Sequence, residues 1–200
     1  MLVNTLIGVL GILIFLFIFW KKLKEDYAPE IIFKAATFIL AGILAGWILS
    51  INFFSAWFFW WELAGGLIGL GIVYFKLKVR FYETLEAFVI SMLPWFSLVF
   101  LKDSVFNFSF TSFAAFLATL VFIFVYYYFD VHYKNFAWYR SGKIGFSGLA
   151  ILSLIFLVRS VLALTGIRVI SFVGQYEAMV SGGAAFICFL QIFNLGRIEK

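Results

Sequence analysis

The sequence predicts an all-α integral membrane bundle of seven transmembrane helices, with the N-terminus outside and the C-terminus inside. Three observations lead there. Apolar residues make up 65% of the 200 and mean hydropathy is +1.09, outside the range of soluble domains. Charged residues are only 12%, too few to coat a globular surface, whereas lipid requires no such coat. The positive charges also occupy alternate gaps between apolar stretches. Of the 15 Lys and Arg, twelve fall on one face: Lys21, Lys22, Lys24, Lys34, Lys76, Lys78, Arg80, Lys134, Arg140, Lys143, Arg197 and Lys200. Two, Lys102 and Arg168, fall on the other, and Arg159 lies inside an apolar stretch. Lys and Arg near span ends stay on the cytoplasmic side, which sets the orientation.

A lipid-crossing helix needs about 20 residues, because its backbone polar groups must be satisfied internally. Seven stretches qualify: 2–20, 32–52, 61–75, 84–101, 112–129, 144–166 and 177–195. The first has its positive charges after it and no A-x-A-like site follows, so it reads as a helix instead of a signal peptide. Lys34 opens the second and can snorkel to the basic face. The third is short, and the aromatic run Phe53–Trp61 extends or tilts it at the interface. The fourth and fifth flank Lys102, while the fifth and sixth flank the basic loop around Lys134, Arg140 and Lys143. The seventh ends before Arg197. No long Gly, Pro or Ser linker interrupts the array, so residues 1–200 form one domain.

The 29 Phe suit lipid-facing positions, and Trp and Tyr suit the interfaces. The net charge of +5 sits in loops, where anionic headgroups account for it better than nucleic acid does. The single Cys188 lies in an apolar stretch and reads as a small buried residue. Small residues at Gly42-xxx-Gly46, Gly65-xxx-Gly69 and Gly182–Gly183 mark expected close helix contacts.

Ionisable groups within spans are the strongest functional pointers, since each costs about 2.5–3.5 kcal/mol near the bilayer centre. Arg159, in LIFLVRSVLAL, lies roughly 10 Å short of the outer end of the sixth span at 1.5 Å per residue. Two readings stand: it meets an anionic headgroup, or it pairs structurally with Glu62. Glu62 and Glu86 read as interfacial, and His132 as a solvated loop residue. There is no Walker loop, C-x-x-C, H-E-x-x-H or G-x-S-x-G, so neither metal nor cofactor is expected. The seventh span holds no Lys that could carry a retinal.

Several segments, in order, resemble the prolipoprotein diacylglyceryl transferases, seven-helix bacterial enzymes with an outside N-terminus. AGILAGWIL (41–49) is similar to their Gly-rich second-span segment. FWWELAGGLIG (59–69) is similar to their tryptophan and His-Gly-Gly stretch, matching the two glycines at Gly65 and Gly66. LEAFVISMLPWF (85–96) resembles an acidic-then-proline helix, SGKIGFSGLAILSLIFLVR (141–159) a glycine-led helix ending in a functional Arg, and GQYEAMVSG (174–182) the opening of the last span. The family moves a diacylglyceryl group from phosphatidylglycerol to a lipoprotein cysteine in the plasma membrane. The resemblance therefore implies phosphatidylglycerol as ligand, a lipoprotein precursor as a second partner, and headgroup contacts from Arg159, Lys102, Arg168 and Glu62.

The chain also departs from the pattern. Ala64 stands where the family's presumed histidine base belongs, LVFLKDSV replaces the Arg-Gly-Asn motif, and Ala163 replaces the acid one turn beyond Arg159. Transfer to a thiol needs a base or an activated thiol, and in the outer half Glu62 or a Tyr is what remains. Three classes follow: a divergent transferase, a non-catalytic relative that binds anionic lipid, and a small transporter or assembly subunit with the same span number. The catalytic residues and the oligomeric state are not legible.

Overall fold

The computed structural model describes residues 2–53, 55–136, 138–139, 141–167, 169 and 171–197. It contains α1 (Leu2–Leu23), α2 (Pro29–Phe53), α3 (Phe58–Leu77), α4 (Phe81–Asn107), α5 (Phe110–His132), α6 (Phe146–Leu164) and α7 (Glu177–Gly196). All seven are long and apolar enough to cross a membrane, and no strand occurs among the described residues. The chain is a multi-pass membrane protein. Because the span number is odd, α1 begins at one end of the bundle and α7 finishes at the other. These are called here the amino end and the carboxyl end.

Most helices outrun the apolar stretches that announce them. Pro29 starts α2 at a position where its missing N–H costs nothing, and Glu30 in the first turn complements the helix dipole. A 3-10 turn at Ser55–Trp57 leads into α3, so the aromatic run does extend the third span. α3 stops at Lys78 in the left-handed region (φ 54°) and α4 at Phe108 (φ 49°). The Ser109 side chain accepts the Ser112 N–H at 3.3 Å to cap α5. The sixth span is shorter than its apolar stretch, because Gly145, at φ +113°, delays the start of α6.

Glycines weld α2 to α3. A methyl group built on Gly42 would lie 2.2 Å from the Gly65 carbonyl oxygen, and one on Gly65 would lie 2.1 Å from that of Gly42. Gly46 is equally close to the Trp61 carbonyl, and Gly69 abuts Ile39. Backbones can approach this closely only without Cβ atoms, the expected basis of small-residue packing in lipid. Gly66 packs instead on the Phe88 ring, and Gly182 on Ser160, whereas Gly183 faces open space.

α4 is the axis of the bundle. It contacts α1, α3, α5 and α6, and its residues Glu83–Leu93 are buried without interruption. Around it the core gathers Phe15 and Phe19 of α1, Ile39 of α2, Val73 of α3 and Ile151 of α6. Large side chains such as Phe75, Phe124 and Met179 point outward, the distribution expected when the solvent is lipid. Cys188 is part-buried, packed against this core.

Candidate functional site

Near the amino end, α6 and α7 trap a buried charge pair. Arg159 is 7% exposed and Glu177 fully enclosed. The guanidinium Nε donates to Glu177 Oε1 at 2.9 Å, and Nη2 lies 2.8 Å from the same oxygen. Nη1 donates to Ser171 Oγ at 2.7 Å and Nη2 to the Ser171 carbonyl at 2.9 Å. Glu177 Oε2 accepts the Val173 N–H at 3.1 Å and the Trp60 indole N–H at 3.3 Å, while Ser181 Oγ donates to Oε1. Phe59 lies under the guanidinium at 3.9 Å and Phe172 at 5.0 Å. Dehydrating an ion pair is repaid only when the remaining hydrogen-bonding capacity is filled, and here it nearly is.

The partner of Arg159 is therefore Glu177, not Glu62. GQYEAM carried the acid in plain view, at the first turn of α7. An intramembrane Arg calls for an acid, but sequence separation alone does not choose among the acids at one end of a bundle. The α6–α7 hairpin makes that choice.

Arg159 also lines an apolar groove between α4, α5, α6 and the segment after α6. The groove has a cavity of about 80 Å³, with walls that include Phe59, Phe96, Phe100 and Phe122 and with Thr119, Arg159 and Ser171 as its polar members. Phe59, Leu93, Phe96 and Ile155 separate it from a second cavity of about 30 Å³. Glu62 lines that second cavity. Its carboxylate makes no hydrogen bond or ion pair with any described residue. Ala64 is exposed on another side of α3, so the position of the family's histidine does not face either cavity. Lys102 sits in the last turns of α4, part-exposed and away from the groove lining. Arg168 lies outside the described residues. Gly65, Gly66 and Gly69 are packing residues of α3.

A second polar cluster occupies the carboxyl end, and in it Glu86 is enclosed by protein groups. That residue is 2% exposed. Lys22 Nζ lies 3.0 Å from Glu86 Oε1 and 2.7 Å from Asp130 Oδ1. Tyr126 donates to Glu86 Oε1 at 3.2 Å and the Gly145 N–H to Oε2 at 2.9 Å. This cluster opens into a cavity of about 380 Å³ that also touches Lys21, Glu25, Asp26 and Lys134. Beside it, a cleft of about 590 Å³ is bounded by Arg80, Tyr82, Glu83 and Lys143. Arg80 holds Glu83 at 2.8 Å, and that hydrogen bond raises the already high guanidinium pKa. Burial, then the hydrogen bond to Glu83 at 2.6 Å, raises the Tyr27 phenol. His132 ends α5 and stacks on Tyr128 at 4.6 Å, so it is a helix-terminal residue, not a loop one. Among the described residues no group of three or more His, Cys, Asp or Glu could hold a metal ion.

No family model matches the chain, and no match is found among curated proteins or solved structures.

Proposed function

We propose that this chain is a phospholipid-handling protein of the prolipoprotein diacylglyceryl transferase type, acting at the outer leaflet of a bacterial plasma membrane with phosphatidylglycerol as its ligand. The observation that carries the reading is a guanidinium fixed in the wall of an apolar groove. Glu177 and Ser171 orient Arg159, and Phe rings line the space beside it. Arg carries five N–H donors in a planar fork. Nη1 makes one hydrogen bond to a described residue, which leaves a donor for a phosphodiester. Acyl chains suit the apolar walls, and a phosphate oxygen suits the one remaining charged N–H. The charge asymmetry of the loops supports an outer-side position for the amino end and the groove. Lys102, on the last turns of α4, adds positive charge at headgroup level.

Binding is better supported than transfer. Ala64 faces away from both cavities, so no imidazole stands where thiol deprotonation would need one. The protein of this reading holds or places anionic lipid, with a lipoprotein precursor as the partner that retained chemistry would require. Two assays on the purified chain test it. Native mass spectrometry should find phosphatidylglycerol retained by the wild type and about tenfold less by Arg159→Lys, which keeps the charge but loses the planar group that holds Glu177 and Ser171 while presenting one further N–H. A lipobox peptide should gain little or no diacylglyceryl, and robust turnover would replace the binding reading with the enzymatic one. Equal retention by Arg159→Lys would remove Arg159 from the headgroup contact.

A further inference from the structure

The guanidinium of Arg159 meets its partners along two edges. The side edge, Nε and Nη2, meets a single oxygen of Glu177 at 2.9 and 2.8 Å. The end edge, Nη1 and Nη2, meets two oxygens of one residue, Ser171 Oγ at 2.7 Å and the Ser171 carbonyl at 2.9 Å. Two oxygens set side by side against two N–H groups is the arrangement in which a guanidinium grips a phosphate. The further N–H on Nη1 offers a phosphate one bond. The end edge offers two, and Ser171 occupies it.

We infer that Ser171 is an internal stand-in for a phosphate group, and that the connection carrying it is a strap which the phosphate displaces from Arg159. Ser171 and Phe172 both line the groove beside Arg159, so a ligand held there lies against the residues it would replace. Gly166 and Gly174 bracket them at φ +78° and +59°, with nothing within 4 Å of a built Cβ. Glycine enters this backbone region without a steric penalty, and a few such positions suffice for a hinge. Among the described residues, the hydrogen bonds tying this stretch to the helices run from Arg159 to Ser171 and from the Val173 N–H to Glu177. Both anchors therefore belong to one ion pair. The exchange balances bond for bond: two hydrogen bonds to Ser171 become two to phosphate oxygens, which carry charge and accept more strongly. Glu177 keeps the side edge throughout. The inference rests on the phosphatidylglycerol reading and concerns what that binding must move.

The test uses the purified full chain in neutral detergent. Native mass spectrometry compares phosphatidylglycerol retention by the wild type and by Ser171→Ala, which removes one of the two competing oxygens. Retention should rise about tenfold in the variant, because a hydrogen bond to a charged group is lost from the closed strap alone. A melt in sodium phosphate against sodium chloride at equal ionic strength reads the free anion. A larger phosphate stabilisation in Ser171→Ala than in the wild type identifies free phosphate as a sufficient ligand, and higher lipid retention without it assigns the site to the lipid headgroup. Hydrogen exchange on the wild type needs no substitution. Adding phosphatidylglycerol should speed exchange at Phe172 and Val173, whose N–H groups are bonded to the Val169 carbonyl and to Glu177 in the closed strap. Equal or weaker retention by Ser171→Ala, while the wild type retains the lipid and Arg159→Lys does not, overturns the strap and leaves the lipid reading standing. Unchanged or slower exchange at Phe172 and Val173 in the lipid-loaded wild type does the same. Absence of retention in both proteins overturns both.

Discussion

The two ends of this bundle solve one problem in opposite ways. At the amino end, Arg159 and Glu177 have side-chain exposures of 9% and 0%, and their partners come from α6, α7 and the segment between, with Trp60 of α3 added. At the carboxyl end, Lys22 and Asp130 remain 27% and 33% exposed, and α1, α4 and α5 must come together to make the contact. The first pair is a local pin, sealed from solvent, with its acceptors filled. The second is a long-range junction whose outer half can exchange its partners for water. Ionic contacts of similar length therefore differ greatly in worth, because dehydration rather than distance sets the cost of losing a partner.

Substitutions sharpen that contrast. The largest effect belongs to Arg159→Met, which leaves Glu177 charged and enclosed and should cost about 3–5 kcal/mol of stability in a detergent melt. Adding Glu177→Gln should return most of it, since the amide oxygen still accepts from Val173 and Trp60 while the stranded charge is gone. A double variant less stable than either single one would contradict the sealed-pin reading. Lys22→Met comes next. It strands Glu86, but Tyr126 and the Gly145 N–H still hold that carboxylate, so about 1–3 kcal/mol should be lost. Asp130→Asn touches only the exposed half and should change stability by about 0–1 kcal/mol; a loss as large as that of Arg159→Met would erase the distinction between the ends.

The smallest effect is a matter of pH. Tyr139, in the connection between α5 and α6, is buried and donates to the Lys143 carbonyl at 2.8 Å. Burial raises its phenol to about 12, against about 10 in an unfolded chain. The fold favours the neutral form, so this contribution is complete below about pH 10 and is lost as pH rises through 12. Tyr139→Phe should remove one late step from the absorbance titration of the tyrosines and flatten the stability profile in that window. An unchanged titration would place Tyr139 in a wetter setting.

Much of this architecture was written in the sequence because lipid leaves a helix few options. Runs such as LIGVLGILIFLFIFW read directly as spans, and the spacing of Gly42, Gly46, Gly65 and Gly69 announced close helix contacts, though not that α2 and α3 make them with each other. Helix ends were less legible. α4 continues past its apolar run to Asn107, where Asp103 accepts from Asn107 at 2.7 Å and from Ser112, so polar residues there prolong the helix. Pairings were the least legible of all. Glu86 looked interfacial from its position near the start of a span, yet Lys22, Tyr126 and Gly145 converge from three other segments to enclose it. Arg159 demanded an acid, and the sequence reading named Glu62 where the structure supplies Glu177. Only the hairpin geometry of α6 and α7 distinguishes them, and that geometry is what leaves Glu62 alone in its cavity.

The most direct test of the amino-end groove uses the double variant Arg159→Met with Glu177→Gln, which removes the guanidinium without stranding a charge. Native mass spectrometry with phosphatidylglycerol, run beside a thermal melt, reads ligand and fold together. The account predicts a melting temperature close to that of the wild type and loss of most phosphatidylglycerol retention. Retention as tight as in the wild type, in a variant that melts normally, would contradict it.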